Sequence, residues 1–249
     1  MTLNSAMTVR DLALELSQAK RVLERVNIDY CCGGERLLGE ACASAGVELS
    51  TLETMLDDAA AEEFSGDDFI DFQNLTLSEL ITHILDKHHV FTRQEMARLG
   101  TLTNKVISAH GANHPELHRI GELFQQLCAD LEPHMLKEEK VLFPYIIAME
   151  SAALQDGPAP SAPFGTVKNP VRMMMSEHET VGDLLRELRK LSSDYTVPAD
   201  GCISYQTLYQ ALAAFEKDLH QHIHLENNIL FPKAVAMEEA GSGLQTISP

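Results

Sequence analysis

The chain has 249 residues, 45% hydrophobic and 22% charged, enough for one large or two modest domains whose core needs no disulfide staples. With 19 Lys and Arg against 37 Asp and Glu the formal net charge is −18, which argues against a general nucleic-acid or anionic-membrane surface and suits the holding of cations. No apolar run approaches the roughly 20 residues of a membrane span, and the start MTLNSAMTVRDLALELSQ lacks a basic segment followed by an apolar block, so no secretory signal is expected.

Val9, Leu12, Leu14 and Leu16 open an apolar pattern that continues through Val22, Leu23 and Val26 and predicts short helices. Tyr30-Cys31-Cys32-Gly33-Gly34 interrupts it. A second run from Glu35 through Leu37, Leu38 and Cys42 ends near Gly46, and Ser50 is placed to cap a third carrying Leu52, Met55 and Leu56. The acidic stretch Ala59 to Asp71, broken by Ser65-Gly66, reads as a linker. From Thr76 four long helical patterns follow, over about 76–109, 115–149, 170–192 and 203–238. Gly111 to Pro115, the proline-rich 151–170 and Thr196 to Gly201 separate them, and no segment shows sustained strand alternation. The expected fold is all-α, a four-helix bundle behind a small helical domain. The expected boundaries are residues 1–60 for the small domain, 61–75 for the linker, 76–240 for the bundle and 241–249 for a frayed tail.

The five cysteines are an odd number with two adjacent, which is no disulfide framework and points to a reducing cytosol. Cys31 and Cys32 precede two glycines and a helix, where a thiol can have a lowered pKa and react, so this pair is read as functional rather than as a flexible turn. Cys42, Cys128 and Cys202 are read as core or incidental.

Two segments repeat. His134-Met-Leu-Lys-Glu138, followed by Leu142-Phe143-Pro144, matches His222-Ile-His-Leu-Glu226, followed by Leu230-Phe231-Pro232, at a constant offset of 88 residues. Each copy continues to Ala-Met-Glu, ending at Glu150 and Glu238. The bundle is therefore two successive helical hairpins. The inward series of the second helix is Leu117, Ile120, Phe124, Leu127, Leu131, His134, Glu138, Val141; that of the fourth is Leu208, Leu212, Phe215, Leu219, His222, Glu226, Ile229. These are core-seam spacings, so a His and a Glu stand where apolar residues belong on each helix. Burying a carboxylate without a partner is very unfavourable, and two at matched depth call for metal. His178 is inward on the third helix. On the first, His88 and His89 both lie near the inward face, and phase does not separate them. His83, His114, His118, His220 and His224 read as surface or turn residues. His110 lies 21 residues past His89, roughly 31 Å along one helix, which places it at the far end of the hairpin and excludes it from the same centre. Pro133 is expected to kink the second helix. One histidine per helix and two glutamates make six ligands for two octahedral ions, with each Glu bridging. Mixed N/O donors favour iron, with manganese the alternative.

Asp29-Tyr30-Cys31-Cys32-Gly33-Gly34 together with the doubled HxxxE…LFP motif resembles the iron-sulfur cluster repair di-iron proteins, also called repair-of-iron-centres proteins, over nearly the whole chain. The resemblance implies a hemerythrin-like bundle with two non-haem irons, oxo-bridged when oxidised, in bacterial cytoplasm. It implies His89, rather than His88, as the first-helix ligand, beside His134, Glu138, His178, His222 and Glu226. The implied role is restoring iron-sulfur clusters damaged by nitric oxide or oxidants, by iron donation, nitric oxide removal or both. Damaged iron-sulfur proteins would be the partners, nitric oxide or oxygen the small ligands, and a homodimer is allowed; no nucleic acid or membrane is expected. The competing readings are a nitric oxide reductase forming nitrous oxide, and a non-catalytic sensor or store of oxygen, nitric oxide or iron.

Overall fold

The structure, a computed structural model, describes residues 3–16, 18–60, 70–155, 157–158 and 160–244. Most of the expected linker, 61–69, and the tail beyond 244 lie outside the described residues. The chain groups into two compact units, one formed by the chain up to Leu75 with Ile223–Ile229, the other by Thr76–His222 with the chain from Leu230 onward.

In the first unit Thr8 opens α1 (Val9–Glu15) with a reciprocal cap: its hydroxyl accepts the Asp11 N–H and the Asp11 carboxylate accepts the Thr8 N–H. α2 (Ala19–Arg25), α3 (Leu38–Ala45) and α4 (Leu49–Ala60) follow, and Gly46 at φ 69° closes α3 in the left-handed conformation that glycine enters without strain. α4 begins at Leu49, so Ser50 lies inside it rather than capping it. Val9, Leu12, Val22, Leu23, Leu38, Leu52 and Leu56 form the buried core.

Three of the four long helices from Thr76 onward pass through one wide π-type turn. α5 (Leu77–His83) runs through the π-turn Ile84–His89 into α6 (Val90–His110); α7 (Glu116–Lys137) through Glu138–Leu142 into α8 (Phe143–Leu154). α9 (Lys168–Leu191) is uninterrupted. α10 (Ile203–Leu225) runs through Glu226–Leu230 into α11 (Phe231–Leu244). α7 packs against α6 and α9, and Phe124 of α7 meets Phe215 of α10 edge-on at 5.9 Å. This is the expected helical bundle, and no strand occurs among the described residues beyond an isolated bridge between Thr8 and Leu37.

The repeated Leu-Phe-Pro explains two of the π-turns. Pro144 sits in the first turn of α8 and has no N–H to return to the carbonyl four residues back. Widening the turn, with the Phe143 N–H bonded to the Glu138 carbonyl, carries the helix past the proline. The wide turn also shifts the helix phase. Val141, expected inward, is 45% exposed, and Leu142 is buried in its place. One extra residue in the turn lengthens the step after Glu138 from three to four. Pro133 does not interrupt α7, which runs through it to Lys137.

The Glu that ends each repeat closes its own hairpin. Glu150 of α8 accepts the backbone N–H of Leu77 at 2.7 Å and of Ser78 at 2.9 Å, capping α5. Glu238 of α11 accepts the Val167 N–H at 2.8 Å at the start of α9, with the Thr166 hydroxyl and the Tyr145 hydroxyl as further donors. A carboxylate at a helix N-terminus satisfies unpaired donors and complements the dipole.

Candidate metal centre

The π-turns sit where donors converge. His88 and His89 end the first, and Glu138 and Glu226 begin the other two. Two groups of buried donors result, His89, Glu138, His222 and Glu226 in one, and His134, Glu138, His178 and Glu226 in the other, with the ligand atoms of each group within 4.8 Å of one another. Together they contain all six residues that the sequence proposes as ligands, and both glutamates are common to the two groups.

The geometry of Glu138 is specific. Its Oε2 lies 3.4 Å from His89 Nε2 and its Oε1 lies 3.4 Å from His134 Nε2. The carboxylate thus turns one oxygen towards each group. Two donors bonded to one ion at about 2.1 Å stand roughly 3.0–3.5 Å apart, so each of these separations fits a pair of donors on one ion. His134 Nε2 and His178 Nε2, 3.0 Å apart, fit neighbouring ligands of the same ion. The donor set, four imidazoles and two carboxylates with no sulfur, suits first-row ions such as iron or manganese.

A second layer fixes the imidazoles. His89 Nδ1 lies 2.8 Å from Glu139, which also accepts from Arg93 at 2.8 Å. His134 Nδ1 lies 2.8 Å from Glu177, which is also bonded by Lys137. With Nδ1 protonated towards a carboxylate, Nε2 presents its lone pair inward. The hydrogen bond to His134 is the main reason that the Glu177 carboxyl is held down at about 2; burial opposes it, and the Lys137 bond adds to it. Burial raises Glu139, but Arg93 and His89 together bring it below the usual carboxylate range.

Residues 80–234 match the family of the hemerythrin HHE cation-binding domain, more than half of the chain. The chain belongs to that family. Residues 5–60 match a second family, a domain of unknown function, DUF542. The chain is also similar to a protein of Haemophilus influenzae named as a probable iron-sulfur cluster repair protein, 32% identical over 225 residues, 90% of this chain and 95% of that one. It is similar to the iron-sulfur cluster repair proteins YtfE of Shigella boydii (31% over 230 residues, 92% and 96%) and Yersinia pseudotuberculosis (31% over 227 residues, 91% and 96%).

The other sequence candidates are placed as follows. His88 is also buried, with its ring stacked on His222 at 5.6 Å and its Nδ1 3.0 Å from Asp218, but it belongs to neither donor group. His110 stands apart, with Nε2 3.1 Å from Cys202 Sγ. Cys202 is exposed, not core; amide N–H groups at the start of α10, that of Tyr205 first, and His110 lower its thiol to about 7. His224, expected at the surface, is 2% exposed. It does point away from His222, but that face is occupied: in the first unit its Nδ1 meets Asn228 at 2.9 Å and its ring meets Tyr30 edge-on at 5.3 Å. Burial pushes its pKa down to about 3. Cys31 and Cys32 lie in the first unit, the former buried and the latter half-buried. Sequence reasoning does not single out Glu139 and Glu177, whose histidine partners lie on other helices. No disulfide joins any two of the five cysteines, and no helix among the described residues is long and apolar enough to cross a membrane.

Proposed function

We propose that this chain repairs iron-sulfur clusters damaged by nitrosative or oxidative stress in the cytoplasm. The observation that carries the reading is likeness over about nine tenths of the chain to proteins named for that role, including both the cysteine-bearing N-terminal domain and the bundle. In this reading residues 1–60 and 76–240 are separate modules joined by 61–75, damaged iron-sulfur proteins are the clients, and Cys31 and Cys32 meet the client or supply thiol chemistry.

His89, His134, Glu138, His178, His222 and Glu226 would hold two non-haem irons, oxo-bridged when oxidised. The shared carboxylates of Glu138 and Glu226, and burial of all six side chains, support two ions over one. When bound, such a pair supplies iron for a damaged cluster or electrons for removing nitric oxide. The chain's own contribution is orientation and exclusion of water. Glu139 and Glu177 hold the Nδ1 protons of His89 and His134 outward, so each Nε2 is aimed before the ion arrives. The 1% exposed His89 and His178 and the fully buried Glu138 keep bulk solvent from the centre.

The test is anaerobic mixing of the diferrous protein with nitric oxide, followed by addition of a nitric oxide-inactivated [4Fe–4S] enzyme. Reactivation that requires the six ligands and Cys31-Cys32 supports repair. Catalytic nitrous oxide without reactivation would replace the reading with nitric oxide reduction, and stoichiometric nitric oxide uptake alone would replace it with sensing.

A further inference from the structure

Among the described residues one more cluster of donors lies outside the bundle. Asp29, Cys31 and Cys32 bring a carboxylate oxygen and two sulfurs within 4.8 Å of one another. The two Sγ atoms are 3.8 Å apart and Cys31 Sγ is 3.2 Å from Asp29 Oδ1. A disulfide would need about 2.05 Å between the sulfurs. Two thiolates bound at about 2.3 Å to one tetrahedral ion stand about 3.8 Å apart, which is the spacing found.

The loop that presents these donors is fixed at several points. Asp29 Oδ1 accepts the backbone N–H of Cys31 at 3.0 Å and of Cys32 at 2.9 Å. Within the same unit, the Asn227 amide donates to the Cys31 carbonyl at 3.1 Å and the Asn228 amide to the Tyr30 carbonyl at 2.9 Å. A Cβ on Gly33 would stand 2.9 Å from the Asp29 carbonyl oxygen, and one on Gly34 2.9 Å from that of Tyr30, so the turn closes this tightly only with glycine at both positions. Cys31 is buried while Cys32 is half-buried, which leaves the cluster an approachable side.

We propose that Asp29, Cys31 and Cys32 form a mononuclear site for a thiophilic divalent cation, Fe2+ or Zn2+ in class, with three protein donors and a fourth position open to exchange. Structural sites of this kind close with four protein ligands, whereas three ligands leave the ion exchangeable. Sulfur donors set the site apart from the bundle centre, whose two groups offer only nitrogen and oxygen. The hydrogen bond to Cys32 and burial hold the Cys31 thiol well above its ordinary value, so cation binding there releases a proton.

Cobalt(II) tests this on the metal-stripped full-length chain under anaerobic conditions. Sulfur-to-cobalt charge-transfer absorption reports only thiolate ligation, so cobalt in the bundle does not contribute to it. The expected result is a band that saturates when one cobalt per chain is bound beyond the bundle's loading, is displaced by zinc, and vanishes in the Cys31→Ser/Cys32→Ser double variant. Asp29→Asn keeps the oxygen that accepts the two N–H groups but removes the charge, and should weaken cobalt binding at least tenfold. Unchanged helicity and unchanged cobalt loading of the bundle show that each variant is folded. Absence of the band, its survival in the double variant, or saturation at one cobalt per two chains would overturn the proposal. None of these outcomes depends on repair activity.

Discussion

Replacing Glu150 with Ala should destabilise the bundle by about 3 kcal/mol, although the residue is remote in sequence from the helix that it caps. Its carboxylate is 8% exposed and accepts the buried Leu77 N–H, the Ser78 N–H and the Ser78 hydroxyl. Leaving the Leu77 donor unsatisfied costs about 1–3 kcal/mol and the partly solvated Ser78 N–H about 1 kcal/mol. Losing the anion at the start of α5 adds about 0.3–1 kcal/mol. Thr76 still caps the helix through its bond with the Glu79 N–H, which limits the damage. Glu150→Gln retains one acceptor oxygen and should lose about 1 kcal/mol. Urea unfolding followed by circular dichroism, at fixed metal loading, measures both. For a chain of this size the Ala variant should melt roughly 6–12 °C lower. An Ala variant within about 0.5 kcal/mol of the parent, or Gln and Ala variants of equal stability, would refute the capping argument.

Glu238→Ala should have a cost of similar size by the same assay, since it strips acceptors from Val167 N–H, Thr166 and Tyr145. Glu177→Gln should lower cation affinity about 10–100-fold, read by competition with a chelator, because His134 loses the carboxylate that aims it. His110→Ala should retain two irons by metal analysis while His89→Ala loses or unbalances the pair; the reverse pattern would reassign the first-helix ligand. Cys202 should be alkylated at a rate that rises with pH with its midpoint near 7, because the thiolate is the nucleophile and its pKa is lowered to about 7. His110→Ala should move that midpoint upward, as mapped by mass spectrometry of the modified peptide.

The faces that carry the candidate donors are legible because an amphipathic helix writes its buried side into residue spacing. His134, Glu138, His222 and Glu226 each fall on a core seam, and His178 replaces an apolar residue on a third. The spacing stopped being informative at the π-turns, where 3.6 residues per turn no longer holds. For that reason Val141 is exposed where the spacing predicts it inward, and phase does not separate His88 from His89, both of which the wide turn buries. His224 is buried rather than at the surface: helix phase says which way a side chain points but not what covers that face. The partners Glu139 and Glu177 act on histidines of other helices, 50 and 43 residues away, a separation that no local pattern encodes. The pairing of His110 with Cys202, 92 residues apart, is hidden for the same reason.

The two repeat-ending glutamates bear on how the bundle came to be one chain. Glu150 closes α8 onto α5 and Glu238 closes α11 onto the start of α9, so each half ties its own last helix to its own beginning. Neither half borrows the other's backbone for that closure, apart from the hydroxyl of Tyr145 reaching Glu238. That is the arrangement of a symmetric pair of protomers fused end to end. The donor groups, by contrast, each draw on both halves. A bound cation would therefore act as a cross-link between the two halves, in addition to the packing of α7 on α9.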